Sequence, residues 1–162
     1  MPEKVRDVPP PKGFSRLFYR LPIYIYRIGL GRLMGSRFLL LEHTGRTSGK
    51  LRRNVLEVVR WDESIHMFYV ISAWGEKADW LRNVRENSAV TINIGGTRYS
   101  ATAIPQNRDV AERELFDYAQ RHPRAASELS RLLGYRLDGT PEDFASLAHQ
   151  MTMVELRYDD DS

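Results

Sequence analysis

Between two apolar runs, His43–Leu56 reads His-Thr-Gly-Arg-Thr-Ser-Gly-Lys-Leu-Arg-Arg-Asn-Val-Leu. Arg46, Thr47, Ser48, Gly49 and Arg52 are the residues there whose types and spacing could do chemistry. Glycine lets backbone N–H groups approach an anion closely, hydroxyls complete its coordination, and a guanidinium offers a forked pair of donors. That chemistry would be the phosphate grip of a cofactor site. A basic turn between two strands accounts for the same residues about as well, since turns recruit glycine and serine for their own backbone needs. Two further clusters follow. Ser72-Ala73-Trp74-Gly75-Glu76-Lys77 offers Ser72, Trp74, Gly75 and Lys77, and Trp80 and Asn83 stand at helical spacing just beyond. Core packing explains Trp80 equally well, and a solvated surface charge explains Lys77.

Other chemistries lack their residues. The chain has no cysteine, so it has no thiolate nucleophile, no thiolate metal site and no disulfide framework. The four histidines, His43, His66, His122 and His149, are scattered, and no pair has ligand spacing on one element, which argues against a metal site. There is no Gly-x-Ser-x-Gly elbow, no Walker loop and no Gly-x-Gly-x-x-Gly after a strand. No residue stands out as catalytic. A chain without an evident acid, base, nucleophile or metal often leaves the hard step to a cofactor.

The elements that must position these clusters can be read in order. Residues 1–12 read as a disordered lead containing Pro9, Pro10 and Pro11. Residues 13–37 form an amphipathic N-terminal helical segment, kinked or restarted at Pro22. It either packs on the domain or lays its arginines and aromatic residues on an anionic membrane surface. Residues 38–158 form the main domain. Strands are predicted at Phe38–Thr44, Asn54–Trp61, Ile65–Ser72, Ala89–Ile94, Arg98–Ile104 and Met151–Tyr158, with Gly95-Gly96 as a hairpin turn. A short helix is expected over Trp80–Glu86 with Asp79 as its cap. Another should open at Asp109-x-x-Glu112 and run to about Arg121, with Val110, Leu115, Phe116 and Ala119 facing inward. Further helices are expected over Pro123–Leu133 and from Thr140-Pro141 to about His149. Six strands in short hairpins with peripheral helices predict an α+β fold, a small antiparallel barrel. An up–down–up order puts the turn after the first strand and the end of the third at one end, so one pocket can hold both clusters.

The 162 residues suggest one domain large enough for a real core. A formal net charge of +3 is too small to point to nucleic acid. The charge is unevenly placed: Lys12, Arg16, Arg20, Arg27, Arg32 and Arg37 fall in a stretch without an acidic residue. The absence of cysteine fits a cytoplasmic protein, no apolar run has the length of a membrane span, and the first residues lack a signal-peptide centre.

Thr44-Gly45-Arg46-Thr47-Ser48-Gly49-x-x-Arg52 resembles the Thr-Gly-Arg-Lys-Ser-Gly-x-x-Arg signature of the deazaflavin-dependent nitroreductase and quinone reductase family. Ser72-x-x-Gly75 and Trp80-Leu81-Arg82-Asn83-Val84 resemble its Ser-x-x-Gly and Trp-Tyr-x-Asn-Leu segments. Glu86-Asn87-Ser88-Ala89-Val90 is similar to its next strand entry. The likeness spans roughly residues 38–104. It implies a split β-barrel that binds the deazaflavin coenzyme F-420 and transfers its hydride to a quinone, a nitro compound or another electron-poor small molecule, as a monomer or a homodimer. By the same resemblance, Arg46, Thr47, Ser48, Gly49 and Arg52 hold the phosphate and part of the acidic tail. Ser72, Trp74, Gly75 and Lys77 line the second stretch, and Trp80 and Asn83 support the ring-side wall. Two departures are visible. Thr47 stands where the family has lysine, with Lys50 and Arg53 nearby to supply charge. The link before Trp80 is the compact Trp74-Gly75-Glu76-Lys77-Ala78-Asp79. Related barrels take flavin mononucleotide, haem-type tetrapyrroles or lipids, so an FMN enzyme or a non-catalytic carrier is the alternative reading.

Overall fold

The computed structural model describes residues 3–4, 37–72, 77–124, 127, 135–136 and 140–160. The barrel strands are β2 (Phe38–Thr44), β3 (Leu51–Asp62), β4 (Met67–Ser72), β5 (Ala89–Ile94), β6 (Thr97–Pro105) and β8 (Thr152–Tyr158). They close in the order β2-β3-β4-β8-β6-β5, with antiparallel pairing throughout. Among the described residues, helices α1 (Asp79–Glu86), α2 (Arg108–Arg121) and α3 (Pro141–Ala148) accompany them. The α+β split barrel expected from the sequence is therefore the fold. Two short strands, β1 (Glu3–Lys4) and β7 (Tyr135–Arg136), pair with each other; β1 falls inside the expected lead. The helical segment 13–35 with its membrane question lies outside the described residues, as do most of the expected helix over Pro123–Leu133 and the stretch 73–76. No helix among the described residues is long and apolar enough to cross a membrane.

Strand alternation builds the interior. Leu39 and Leu41 of β2, Phe68 and Val70 of β4, Ile92 of β5 and Leu156 of β8 are all buried and form one core. Trp80, Leu81 and Val84 of α1 complete it, so this helix plugs one end of the barrel. A second core lies outside the barrel wall. There Val59, Tyr69 and Met153 receive Leu115 and Tyr118 of α2 and Phe144 and Leu147 of α3.

Several boundaries differ from those read in the sequence, for local reasons. β3 begins at Leu51, not Asn54, because the ladder to β2 runs from Phe38↔Glu57 to Thr44↔Leu51 regardless of which side chains are charged. β4 begins at Met67 because Glu63–Ile65 form a turn of 3-10 helix capped by Asp62, with His66 left-handed at φ 51°. Asp79 is the first residue of α1, not its cap; Ala78 holds the cap position without a side-chain bond. Asn107 caps α2 by accepting from the Val110 N–H. On α2, Tyr118 is buried, whereas Val110 and Phe116 only pack partly against the outer core. The register of β3 on β4 slips between Val58 and Arg60: Val58 faces the barrel core, while Val59 and Arg60 both face outward, Arg60 towards Glu114 and Tyr69.

Candidate functional site

The turn from β2 into β3, the end of β4 and the start of β5 share one rim, and α1 spans it. The loop 45–50 crosses this rim. Gly45 donates its N–H to the Lys50 carbonyl at 2.8 Å, and Gly49 donates to the Gly45 carbonyl at 2.8 Å. Gly49 has φ 68°, a left-handed backbone that glycine adopts without penalty. The Ser48 hydroxyl accepts from the Lys50 N–H at 3.2 Å and from the Arg52 guanidinium at 3.5 Å. The loop therefore turns back on itself around Ser48, and Thr47, Ser48, Gly49 and Arg52 are exposed.

Asn83, buried on α1, ties the loop to the helix. Its Oδ1 accepts the Arg46 backbone N–H at 3.0 Å and the Arg46 guanidinium at 2.9 Å. The same guanidinium reaches Asp79 at 3.2 Å, an exposed pair that adds little stability alone. The Asn83 amide nitrogen lies 3.2 Å from His43 Nδ1, and His43 Nε2 lies 2.8 Å from Asn54 Oδ1. A row of polar side chains thus runs from the loop into the barrel. His43 is only 3% exposed, and burial holds its pKa below the ordinary histidine value. The Asn54 bond opposes that shift and the charge of Arg52 adds to it.

The structure brings Arg46, Ser48, Arg52 and Asn83 together, and it sets Ser72, buried, at the end of β4 on the same rim. Lys77 is exposed just before α1. Trp80 is buried among core residues, so it supports the rim from beneath. Trp74 and Gly75 lie outside the described residues. Arg53, considered above as a replacement for the charge missing at Thr47, faces the other side of β3 from Arg52. It lies 3.8 Å from the buried carboxylate of Glu42, which also holds Arg98 at 2.7 Å. His43 and Asn54 escape sequence reasoning because only the strand register and the docking of α1 bring them to Asn83.

A cleft of about 730 Å³ opens between β3 and α2, farther along the same strand. Val59, Arg60 and Trp61 line its strand side, and Tyr118 and Pro123 line the helical side. Arg37, Arg121 and Arg124 bring positive charge to it. Arg121 donates to the Val59 carbonyl at 3.0 Å, closing the bulge. The Tyr118 hydroxyl donates to Glu57, and burial together with that carboxylate holds the phenol well above the usual tyrosine range. Among the described residues, no cluster of histidine and carboxylate groups could hold a metal.

A closed six-stranded antiparallel barrel with a helix across one rim is the architecture of a split barrel. The F420H(2)-dependent quinone reductase family matches residues 22–130, and the chain belongs to it. No curated protein matches it significantly. A solved F420-H2 dependent reductase is 20% identical, with 75% of this chain and 94% of that one covered and a TM-score of 0.49. A domain-swapped dimer is 18% identical, covering 84% and 99%, with a TM-score of 0.51. HutZ, the haem storage protein of Vibrio cholerae, is 15% identical, covering 83% and 89%, with a TM-score of 0.51. None of these three likenesses reaches beyond the fold. The protein is an oxidoreductase that uses the deazaflavin coenzyme F-420 for hydride transfer to a small-molecule acceptor.

Proposed function

We propose that the loop 45–50 and Arg52 hold the phosphate and acidic tail of the coenzyme, and that the cleft between β3 and α2 takes a quinone. The observation that carries this reading is the convergence of the Ser48 hydroxyl, the Arg52 guanidinium and the exposed Thr47–Gly49 backbone on one rim. Such a donor set fits a phosphodiester with carboxylates beyond it. Thr47 contributes a hydroxyl, and Lys50 is the nearby cation left for the tail. Arg46 serves the loop by bonding to Asn83, and Ser72 and Lys77 belong to the wall beside it. Trp80 and Asn83 brace the rim from inside the barrel.

When bound, the coenzyme supplies the hydride, and the chain supplies orientation and charge. The cleft suits a flat acceptor because Val59, Trp61 and Tyr118 give it apolar surface and its charged groups are cationic. Arg37, Arg121 and Arg124 would stabilise negative charge that develops on a quinone oxygen as it accepts the hydride. Its volume lies in the range of small-molecule pockets.

Arg52 and Val59, which lines the cleft, are seven residues apart on β3, roughly 23 Å at the usual rise, so substitutions at the rim and in the cleft act independently. Arg52→Ala is expected to raise the dissociation constant of oxidised F-420 about tenfold or more, as loss of one charge-assisted bond does. Arg124→Ala should remove one of the cleft's cations, raising the quinone KM while coenzyme affinity stays within about twofold. Fluorescence titration and steady-state kinetics read the two effects. Undiminished binding by Arg52→Ala would overturn the grip, and an unchanged KM in Arg124→Ala would overturn the cleft.

A further inference from the structure

Asn83 has no freedom in how its amide is oriented. The Arg46 backbone N–H and guanidinium can only donate, so the atom they share, at 3.0 and 2.9 Å, must be the amide oxygen. The amide nitrogen then faces His43 Nδ1 at 3.2 Å, which makes Nδ1 an acceptor. The ring proton of His43 therefore sits on Nε2 and is donated to Asn54 Oδ1 at 2.8 Å. A single neutral tautomer satisfies every group in the row. A proton added at Nδ1 would confront the Asn83 amide with a second donor. Turning the Asn83 amide over would relieve that contact and place its NH2 against both Arg46 donors instead. No orientation of Asn83 accommodates protonated His43 and the Arg46 clamp together.

We propose that His43 is a positioning residue for the coenzyme grip: through Asn83 its neutral form holds the loop 45–50 in place, and its protonation releases the loop. The proposal rests on the reading that this loop grips the coenzyme. The charges around His43 are few. Arg52 stands opposite it in the register of β3, Arg46 reaches from the loop, and Asp79 of α1 faces Arg46 at the surface. β5 turns Val90 and Ile92 to the barrel interior and adds no charge there, while Glu42 and Arg53 pair on the outer face. The nearest charges are thus cationic, and burial acts in the same direction, so the lock opens only in acid. If only the locked loop binds, the apparent dissociation constant rises about tenfold for each pH unit below the His43 midpoint.

Two measurements decide it. In the coenzyme-free protein labelled with 15N, NMR from pH 8 to pH 4.5 should find His43 as the Nε2–H tautomer. The amide signals of Gly45, Arg46 and Gly49 should shift with the midpoint of its imidazole. Oxidised F-420 is then titrated against the wild type, His43→Asn and Arg52→Ala across the same range. His43→Asn keeps an acceptor near the Nδ1 position and cannot titrate, so its profile should lose the acid rise seen in the wild type. Arg52→Ala should bind more weakly at every pH with the rise retained. Using one ligand throughout cancels any titration of the ligand itself. Loop amides that titrate apart from His43, or a His43→Asn profile that follows the wild type, would overturn the lock and leave the grip standing. If Arg52→Ala binds as tightly as the wild type, the grip reading falls, and the amide titration alone decides whether His43 locks the loop. That titration needs no variant, so a His43→Asn protein that fails to fold leaves the decision intact.

Discussion

A histidine held neutral inside a barrel makes stability depend on acid. Burial lowers the His43 pKa from 6.5, so below that pH the unfolded chain binds a proton that the folded chain resists. The sign follows: the folded state is undisturbed above pH 6.5 and loses stability as the pH falls below it, until the folded-state pKa is reached. Urea unfolding at pH 7.5 and pH 5 should show a smaller midpoint at the lower pH. His43→Asn should reduce that difference, and an equal difference in the variant would assign the acid sensitivity elsewhere. Tyr118 is the opposite case on the outer wall. Its hydroxyl donates to Glu57, and its raised pKa keeps it a phenol, and hence a donor, at any working pH. Among the site residues, Arg46 shows how type and role can part. It looks like a ligand to an anion by composition, yet its guanidinium is spent on Asn83 and Asp79.

The elements carry their own instructions at their ends. Thr140 caps α3 by accepting from the Asp143 N–H, as hydroxyl-proline-acid order leads one to expect. α2 is less direct. Asp109 and Glu112 suggest a start, but the cap is Asn107, whose side chain accepts from Val110 at 3.0 Å. Asn107→Ala should therefore cost about 1 kcal/mol. Asp109→Ala should cost about 0.3–1 kcal/mol, since Asp109 acts only as a charge in the first turn. Thermal unfolding of the two variants compares them, and a larger loss in Asp109→Ala would reverse the assignment. The grip loop is an element too. A Cβ at Gly49 would meet nothing within 4 Å, so only its left-handed φ calls for glycine. At Gly45 the constraint is space, because a Cβ would stand 2.7 Å from the Ser48 hydroxyl. Substitution there would displace the hydroxyl that Lys50 and Arg52 share.

At the scale of the molecule, the last strand closes the barrel. β8 lies between β4 and β6, pairing from Met67↔Arg157 to Ser72↔Thr152 on one side and from Ala101↔Tyr158 to Pro105↔Val154 on the other. It also brings Val154 and Leu156 to the inner core and Met153 to the outer one. Ending the chain at Gln150 would expose two strand edges and open both cores at once. The truncated protein should lose cooperative unfolding by circular dichroism, and a cooperative transition near the full-length midpoint would show that the barrel closes without it. The same closure sets α1 across the rim, which is how residues from β2, β3 and α1 come to form one row.

Alternation, turn glycines and caps are local properties, and from them the sequence determined six strands, the helix starts near Asp79 and Thr140, and the basic turn at 45–50. Those signals act between neighbours in the chain, which is why β2 and β5 were legible to the residue. The edges of β3 and β4 were less so, because partner strands and a 3-10 turn set them. The order of the strands, the plug formed by α1 and the partners of Arg46 and Arg53 were decided only by the tertiary structure. Each depends on contacts between residues far apart in sequence: Arg46 meets Asn83 across 37 positions, and His43 meets Asn83 across 40. A guanidinium in a loop has the same type and spacing whether it grips a ligand or a neighbouring helix. Only the docking of α1 puts an amide oxygen within its reach, and so makes Arg46 a clamp and His43 its counterpart in the core.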